Sequence, residues 1–433
     1  MIKIYNYNDI DINKIFLRDE DKQDVSAAVS EIISNVRKNG DNALKMYAKK
    51  FDNADMEVLE LSKEEWDEAL SEVTDEFKGI LRDAASNIRA FHEKQKHTDF
   101  SVTEREGVLL GQRYIPLDKV GIYVPGGTAS YPSTVLMDCI PAKIAGVKEV
   151  IMVTPAKEGK INKNVLAAAK EAGVDRIFKI GGAQAVAALA YGTESVPAVD
   201  KIVGPGNVFV AEAKRQVFGK VSIDMVAGPS EILVIADAAS DPEIVAADML
   251  SQAEHDKMAS AVLVTDSSEL AKSVSNELER QLALLPREEI ARASIDNNGK
   301  IIIADDLFKA VEISNEIAPE HLEVYVDDPF KYLPSIRHAG SVFLGRSAPE
   351  ALGDYFAGPN HTLPTGGTAK FSSPLSVDDF VKKSSYTYYT KEALAAEAEK
   401  IAGFARIEGL EGHARSALIR SKKEAEKNEQ ILK

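Results

Sequence analysis

Cysteine is almost absent from this chain of 433 residues. Its one cysteine, Cys139, cannot form an intramolecular disulfide, which fits a reducing compartment. Because Cys139 lies in the apolar run VLMDCIPA, we interpret it as a small core residue rather than a nucleophile. The sequence also lacks an apolar run of the roughly 20 residues that span a bilayer. Its N-terminus, MIKIYNYNDIDINKIF, lacks the pattern of a signal peptide. These absences predict a cytoplasmic protein that does not contact a membrane.

Positive charge is also scarce, because 52 Lys and Arg residues face 68 Asp and Glu residues, for a net charge of −16. Nucleic-acid backbones and anionic membrane surfaces attract Lys and Arg, so this balance argues against both as general partners. A small anionic ligand in a local pocket remains compatible with it. Hydrophobic residues (45%) and charged residues (28%) occur in ordinary proportions for a globular protein. A chain of this length can form two or more domains.

Helical periodicity dominates residues 22–96, which follow a short predicted N-terminal arm. Apolar residues recur at three- and four-residue spacing in VSAAVSEIISNVRKNG, and this helix is predicted to stop at Gly40. Ser62 followed by Glu65 is typical of a capping box that begins a second helix. His92, in the charged stretch FHEKQKH, is predicted to lie on a helix surface.

From Val120 onward the sequence alternates β-branched strands, glycine-rich turns and helices. The turns are PGG at 125–127, GG at 181–182 and GPGN at 204–207, and this alternation is typical of a parallel sheet with crossover helices. Ligands of such sheets bind at the carboxyl ends of the strands, where glycine lets the backbone approach a phosphate. However, Phe209 stands at the last position of a GxGxxG fingerprint. Plain turn glycines therefore remain an alternative to a dinucleotide site.

A second α/β block begins at Ile232, and Asp241 with Pro242 is predicted to begin one of its helices. From about Asp378 the chain is predicted to be helical and highly charged. We therefore predict an α/β fold with two Rossmann-like α/β/α domains, both incomplete and non-classical, a small N-terminal arm and a helical C-terminal tail. The predicted boundaries are 1–20 for the arm, 21–119 with 232–377 for the first α/β domain, 120–231 for the second, and 378–433 for the tail.

An acid and a base stand side by side at Glu320 and His321, in the stretch NEIAPEHLEV. Adjacent residues do not share a helix or strand face, but after a proline both side chains can point into one cleft. Near neutral pH a histidine can take a proton from a hydroxyl, and a neighbouring carboxylate can orient it or activate water. The alternative is a surface turn with two solvated polar groups. The dipeptide alone does not decide between this turn and an acid/base pair in a cleft.

Gln252, His255, Asp354 and His361 are candidate metal or substrate ligands. Gln252 and His255 are three residues apart on a predicted helix, so they share a face. Asp354 and His361 stand in GDYFAGPNHTLPTGG, which is too rich in glycine and proline for regular structure. Loops of this kind often carry function, although a polar surface loop is the alternative.

A further candidate pair, Glu408 and His413, stands near the C-terminus in EGLEGHARSA. The two are five residues apart, so they share a face only if Gly409 or Gly412 breaks the helix. A mixed set of Gln, His, Asp and His side chains suits zinc or a similar divalent ion. The combination, rather than any single residue, indicates a metal site.

The sequence motifs of this chain, in the order in which they occur, resemble those of the histidinol dehydrogenase family. The resemblance runs from about Ile33 to the C-terminus. Any one of them could mislead, but together they are specific. The blocks that carry the resemblance are VGIYVPGG (120–127), IGGAQAVAALAYGTESVP (180–197), DKIVGPGN (200–207), AGPSEILVIAD (227–237), LSQAEHD (250–256), APEHLEV (318–324), GDYFAGPNH (353–361) and FSSPLSVDDF (371–380).

This resemblance implies the last step of histidine biosynthesis, the NAD-dependent four-electron oxidation of L-histidinol to L-histidine through L-histidinaldehyde. It implies one Zn²⁺ per subunit and two NAD⁺ consumed per turnover. The positions matching zinc ligands are Gln252, His255, Asp354 and His413, and those matching the catalytic acid/base pair are Glu320 and His321. The positions matching NAD contacts, in the domain at 120–231, are Tyr123, Gln184 and Asn207. Those matching substrate contacts are Ser230, His361 and Glu408, together with the zinc ligands and the catalytic pair.

The resemblance also implies a homodimer in which His413 and Glu408 reach the partner's site. Three alternatives stay open. A paralogue could oxidise another primary alcohol, such as a sulfonated diol, with the same zinc, NAD and acid/base pair. A zinc hydrolase could use Glu320 as a base on metal-bound water. The chain could also be a nucleotide-binding regulatory module without catalytic activity, although its clustered acid/base residues would then have no purpose.

Overall fold

The computed structural model describes residues 1–12, 16, 24–126 and 131–431, with backbone alone for 422–431. The chain forms two compact units, one of Met1–Lys96 with Leu117–Phe380 and one of His97–Pro116 with Val381–Lys433. Residues 13–15 and 17–20 of the predicted arm, the start of the predicted helical region at 22–23, and Gly127 of the predicted PGG turn lie outside the described residues.

The first unit contains a six-stranded sheet whose neighbouring strands are all parallel. Helices cover both faces, which explains why its central strands are apolar almost throughout. One face packs against α8 (Pro242–Ala253), α9 (Ser268–Leu282) and α10 (Glu288–Asn297), and the other against α11 (Leu307–Ile317). From edge to edge, the strands are β1 (Lys3–Asn6), β11 (Lys300–Ile303), β10 (Ser260–Thr265), β9 (Glu231–Ala236), β12 (His321–Tyr325) and β13 (Ser341–Leu344).

A five-stranded parallel sheet lies in the same unit, formed by β6 (Arg176–Phe178), β5 (Glu149–Val153), β4 (Lys119–Tyr123), β7 (Lys201–Val203) and β8 (Ser222–Ile223). The chain order reverses between β4 and β7, and a crevice forms at the carboxyl ends of strands at such a reversal. One face carries α1 (Ser26–Asp52), α6 (Gly182–Tyr191) and α7 (Val208–Val217). The other carries α2 (Lys63–Ser71), α3 (Asp75–His92), α4 (Pro132–Ala145) and α5 (Lys163–Ala172).

The helices α1 to α3 thus pack on the five-stranded sheet, whereas the predicted boundaries grouped residues 21–119 with 232–377. Their apolar stripes continue the two cores of that sheet, so burial rather than chain order decides their place. The α/β class itself, with helices on both faces of parallel sheets, is confirmed.

Local signals at helix ends are confirmed as well. The Ser62 hydroxyl accepts from the Glu65 N–H at 3.1 Å, and the Glu65 carboxylate accepts from the Ser62 N–H at 2.8 Å. Asp241 caps α8 by accepting from the Glu243 N–H at 2.9 Å. Caps of this kind stabilise a helix by about 1 kcal/mol. Their groups lie within one turn of each other, so the sequence alone specifies them.

One prediction about the helical region is confirmed and one needs correction. The helix predicted to stop at Gly40 breaks there, because Gly40 has a non-helical backbone (φ 51°, ψ −132°), and a second helical segment continues α1 to Asp52. An added Cβ on Gly40 would lie 2.1 Å from the Glu194 carboxylate. His92 is fully buried, not on a surface. It follows Ile88 by four residues on the apolar stripe of α3, and its Nδ1 lies 2.7 Å from Gln95 Oε1.

The second unit contains an antiparallel sheet in which β3 (Val108–Pro116) lies between β2 (Phe100–Val102) and β14 (Val381–Tyr389). Sequence analysis predicted helix from about Asp378, but residues 381–389 form a strand because VKKSSYTYY is rich in β-formers and pairs with β3 along its whole length. Helices α13 (Lys391–Ile407) and α14 (Glu411–Ile431) follow. They meet at Ala402, Ala405 and Ala414.

The remaining helix, α12 (Glu350–Tyr355), belongs to the first unit. In the part of the chain that the structure describes, no helix is both long and apolar enough to cross a membrane. Short 3₁₀ turns occur at Tyr7–Asp9, Glu93–Gln95, Pro329–Lys331, Leu333–Ser335, Thr368–Lys370 and Val377–Phe380.

Candidate active site at the amino edge of the six-stranded sheet

Glu320 and His321 lie where helix α11 gives way to strand β12. The helix ends at Ile317, Ala318 adopts a left-handed conformation (φ 53°), and His321 is the first residue of the strand. Glu320 is only 7% exposed and His321 only 3%. The alternative of a solvated surface turn is therefore wrong.

Both side chains are held by the backbone of Glu231, the first residue of the neighbouring strand β9. Glu320 Oε2 accepts from the Glu231 N–H at 2.9 Å. His321 Nδ1 lies 3.1 Å from the Glu231 carbonyl oxygen. Since a carbonyl can only accept, Nδ1 carries the proton and Nε2 is the nitrogen left to react.

Two further carboxylates face His321 from helix α12. His321 Nε2 lies 3.4 Å from Asp354 Oδ1 and 3.8 Å from Glu350 Oε1. One ligand atom from each of His321, Glu350 and Asp354 lies within 4.8 Å of the others, close enough to hold a metal ion. Asp354 lies in a short helix, not in irregular structure as predicted. Sequence analysis missed Glu350, although its four-residue spacing from Asp354 places both on one helix face.

Burial and neighbouring carboxylates shift the pKa values of this group. Burial lowers the pKa of His321, but the charges of Glu320, Asp354 and Glu350 outweigh it and raise the pKa to about 10. Burial raises the pKa of Glu320 to about 8, against the lowering effects of His321 and the Glu231 N–H. Burial also opposes ionisation of Asp354, yet the nearby His321 ring and the charge of His361 hold its pKa well below the usual range. Such perturbed groups cluster at functional sites.

Gln252 and His255 lie at the C-terminal end of α8. Gln252 is 1% exposed, and neither Oε1 nor Nε2 has a hydrogen-bond partner among the described residues. A buried amide without partners is costly, so this side chain points to a ligand. His255 lies just beyond the helix rather than within it, with its N–H donating to the Gln252 carbonyl at 3.1 Å. Burial lowers the pKa of His255, against the raising charge of Asp354, so its imidazole is suited to bind a cation.

A cavity of about 290 Å³ opens beside His255. Its volume is near the lower end of the roughly 300–1,000 Å³ typical of small-molecule sites. Most of its lining is apolar or aromatic. It is lined by Phe77, Ile80, Leu81, Ala84, Tyr131, Pro132, Ser133, Leu136, Glu254, His255, Arg287 and Tyr355.

His361 is joined to the same cluster. Its Nδ1 lies 3.0 Å from the Asp354 carbonyl oxygen, and its Nε2 lies 3.4 Å from the Thr134 hydroxyl. The carbonyl fixes the proton on Nδ1, and burial lowers the pKa of the ring. Ser230, which is half-buried, directly precedes Glu231. The structure thus brings His255, Glu320, His321, Asp354 and His361 together, with Gln252 three residues before His255 and Ser230 next to Glu231.

The three predicted NAD positions lie at the carboxyl edge of the five-stranded sheet. Tyr123 ends β4, and its hydroxyl accepts from the Gly182 N–H at 3.0 Å. Gln184 is buried in α6, and Asn207 caps α7 by accepting from two N–H groups. Gly204 follows β7 with φ 109°, and an added Cβ would lie 2.2 Å from the Tyr123 carbonyl oxygen. This turn stands at the reversal of strand order, where nucleotides bind in such sheets.

Known proteins resemble this chain along almost its whole length. The family model for histidinol dehydrogenase matches residues 17–421. A histidinol dehydrogenase of Syntrophotalea carbinolica is 56% identical over 98% of this chain and 100% of its own. One of Lactiplantibacillus plantarum is 58% identical over 90% of this chain and 92% of its own. A crystal structure of histidinol dehydrogenase from Elizabethkingia anophelis superposes with a TM-score of 0.92, at 38% identity and 98% coverage of both chains. The chain belongs to the histidinol dehydrogenase family.

Membership of the histidinol dehydrogenase family makes the protein an oxidoreductase of histidine biosynthesis. The predicted family and function are confirmed. The zinc-hydrolase and regulatory-module alternatives are wrong for the same reason.

The residues of this site fit a bound metal ion. Four buried polar atoms at the site, Gln252 Oε1 and Nε2, His321 Nε2 and Glu350 Oε1, have no hydrogen-bond partner among the described residues. Imidazole, amide and carboxylate groups of this kind suit zinc. At the other edge, the turn at 204–207 leads into the N-terminus of α7, and a helix N-terminus suits the phosphates of a nucleotide.

Glu408 and His413 belong to the second unit, and both are exposed. Glu408 follows the end of α13, and His413 lies in the first turn of α14. Gly409 (φ 75°) breaks the helix between them. Such a break is what residues five apart need in order to share a face. Their roles stay a prediction.

Proposed function

We propose that this protein oxidises L-histidinol to L-histidine through L-histidinaldehyde, with two NAD⁺ consumed per turnover and one Zn²⁺ bound per subunit. The observation that supports it best is the buried Glu320–His321 pair, which is fixed on the Glu231 backbone and faces Asp354. A fixed base beside a candidate metal ligand is what oxidation of an alcohol requires. The identity of the substrate, L-histidinol, is inferred from the family match.

Zinc would be held by Gln252, His255 and Asp354 of one subunit and by the partner subunit's His413. When bound, the ion supplies a Lewis-acidic anchor for the imidazole and amine of the substrate. The set His321, Glu350 and Asp354 is an alternative, and both sets contain Asp354. The unpartnered Gln252 amide favours the first set, because the second leaves this buried group without a ligand.

His321 removes the proton from the substrate hydroxyl through Nε2. Its Nδ1–H stays on the Glu231 carbonyl and keeps the ring in one orientation. Without a cation, three carboxylates hold the pKa of His321 at about 10, so the ring is protonated near neutrality. Asp354, one of those carboxylates, would hold the metal ion, and its charge would then favour the protonated form of His321 less.

Glu320 then activates water for attack on the aldehyde. Its carboxylate is oriented by the Glu231 N–H, and its raised pKa makes it a stronger base than a solvated glutamate. Two steps thus use two neighbouring groups that are held by the backbone of one residue, Glu231. A site closed to bulk water also retains the reactive aldehyde between the steps.

The substrate contacts in the proposal come from both subunits of a homodimer. Ser230 and His361 lie beside the catalytic pair and the Asp354 helix. The partner subunit's Glu408 would complete them. NAD⁺, the hydride acceptor, would bind at the turn that contains Asn207, with Tyr123 and Gln184 at neighbouring strand ends.

NADH formation from L-histidinol tests the reaction, the cofactor and the metal together. With excess NAD⁺ we expect two NADH per histidinol, no reaction after chelation, and recovery on adding zinc. One NADH per histidinol would mean that the aldehyde escapes, and the role of Glu320 would be wrong. Activity on another primary alcohol alone would identify a paralogue within the family.

The rate of aldehyde oxidation should depend on pH through Glu320. A base with a pKa of about 8 is mostly protonated at lower pH. Below pH 8, each unit of acidification should therefore slow single-turnover oxidation of L-histidinaldehyde about tenfold. The Glu320→Gln variant serves as the control, because it should be slow at every pH without this dependence. The same profile in the variant would assign the titration to another group.

A further inference from the structure

Asp138 is a fully buried acid on α4 to which the proposed mechanism gives no task. Its Oδ1 accepts from the Thr362 hydroxyl at 2.8 Å. Its Oδ2 has no hydrogen-bond partner among the described residues. Burial raises the pKa of Asp138 to about 8, against the lowering effect of the Thr362 hydrogen bond. Near neutral pH it is therefore largely an uncharged carboxyl group, which a core accepts more readily than a carboxylate.

One side of Asp138 packs against the turn at 204–207, the proposed NAD-binding turn, which we call the nucleotide turn. An added Cβ on Gly204 would lie 2.9 Å from Asp138 Oδ2, so the carboxyl group rests on the bare backbone of that turn. The turn is fixed further by its own hydrogen bonds. The Gly204 N–H donates to Asp224 at 2.8 Å, and the Gly204 carbonyl accepts from Lys214 at 2.9 Å. Lys214 and Asp224 also form a buried ion pair.

The other side of Asp138 contacts the loop at 360–362, which contains the proposed substrate contact His361 and which we call the substrate loop. Three consecutive loop residues contact α4, and Thr362 does so through Asp138 itself. Asn360 Nδ2 donates to the Met137 carbonyl at 2.6 Å, and its Oδ1 accepts from the Thr362 N–H at 2.8 Å. His361, between them, lies 3.4 Å from the Thr134 hydroxyl. Helix α4 therefore sets the position of His361.

We propose that Asp138 is a positioning residue for hydride transfer, fixing the substrate loop at 360–362 relative to the nucleotide turn at 204–207. The inference rests on the proposed NAD-linked oxidation. Hydride passes only when the donor and acceptor carbons are held about 3–3.5 Å apart, and an error of about 1 Å costs about 100-fold in rate. Asp138 accepts a hydrogen bond from Thr362 and packs against the backbone of Gly204, so it limits changes in the distance between the two segments.

Four variants separate positioning from simple support of the core. Thr362→Val keeps the shape of the side chain but removes the donor to Asp138. Asp138→Ala removes both contacts, whereas Asp138→Asn keeps an uncharged group of similar size that still accepts from Thr362. Ser294→Ala is the matched control, because it also removes a buried hydroxyl donor, one that donates to the Ala259 carbonyl at 2.8 Å in the core of the six-stranded sheet.

The measurements are kcat, the isotope effect with histidinol deuterated at the carbinol carbon, NAD⁺ affinity by calorimetry, zinc content and the melting temperature. For Thr362→Val and Asp138→Ala we expect kcat to fall about 10- to 100-fold and the isotope effect to increase. NAD⁺ affinity and zinc content should change little. Asp138→Asn should restore most of kcat, and Ser294→Ala should retain it.

Two outcomes would overturn the inference while leaving the proposed function intact. Thr362→Val could be no slower than Ser294→Ala. Alternatively, the losses in kcat could follow the folded or zinc-loaded fraction with an unchanged isotope effect, which would make Asp138 a structural residue only. If wild-type protein formed no NADH from histidinol, the proposed function itself would fail.

Discussion

Replacing His321 by Asn should lower turnover about 10²- to 10⁴-fold while zinc content stays unchanged. Asparagine can still donate to the Glu231 carbonyl, which His321 Nδ1 contacts at 3.1 Å. It offers no basic nitrogen in place of Nε2, so the hydroxyl proton has no acceptor. The measurements are steady-state kinetics with L-histidinol and metal analysis of the purified variant.

The same change at His338, which lies outside the cluster, is the control for loss of an imidazole. It should leave both turnover and zinc content unchanged. If His321→Asn instead lost its metal but kept normal turnover per bound zinc, His321 would be a ligand. The set of His321, Glu350 and Asp354 would then replace the proposed zinc site.

Mixing two inactive variants should restore activity if His413 serves the partner's site. His413→Ala and Gln252→Ala should each lose tight zinc binding and turnover, because each lacks a proposed ligand. In a mixed dimer, one site combines the intact Gln252 of one subunit with the intact His413 of the other. After unfolding and refolding of equal amounts, about half of the dimers are mixed and each has one intact site, so about a quarter of wild-type activity returns.

Zinc content should recover in the same proportion, which provides a readout that does not depend on turnover. As a control, mixing His413→Ala with His255→Ala should give the same recovery. Mixing Gln252→Ala with His255→Ala should give none, because both changes affect the same half of the site. If no activity or tight zinc returns in the first mixture while the parent proteins refold, both ligands come from one chain and the proposed shared site is wrong.

Part of the site could be predicted from short stretches of sequence. Glu320 and His321 are neighbours in the chain, and a preceding proline lets both point into one cleft. The structure places Glu320 on the N–H of Glu231 and His321 on the carbonyl oxygen of the same residue. Glu350 was not predicted, because its role as a candidate ligand depends on its position 3.8 Å from His321 Nε2. The residues next to Glu350 in the sequence do not show that contact.

The edge of the sheet at which the site lies is a second feature that the sequence did not predict. Parallel sheets usually bind ligands at the carboxyl ends of their strands. The five-stranded sheet offers its glycine-rich turns there, but Glu320 and His321 lie at the amino edge of the six-stranded sheet. At the opposite edge, Arg346 donates to Asp237 at 2.9 Å and to Ser240 at 3.0 Å. That space is filled by an arginine and its partners.

By itself, the sequence determined the α/β class, the helix caps, the glycine-rich strand ends and the family. These features rest on periodicity, on hydrogen bonds within one turn, or on motifs in a fixed order. Tertiary structure alone decided that α1 to α3 pack on the five-stranded sheet, that His92 is buried, and that Asp138 touches both Gly204 and Thr362. Such contacts join residues far apart in the chain. They are set by which apolar faces bury each other, and a local pattern does not contain that information.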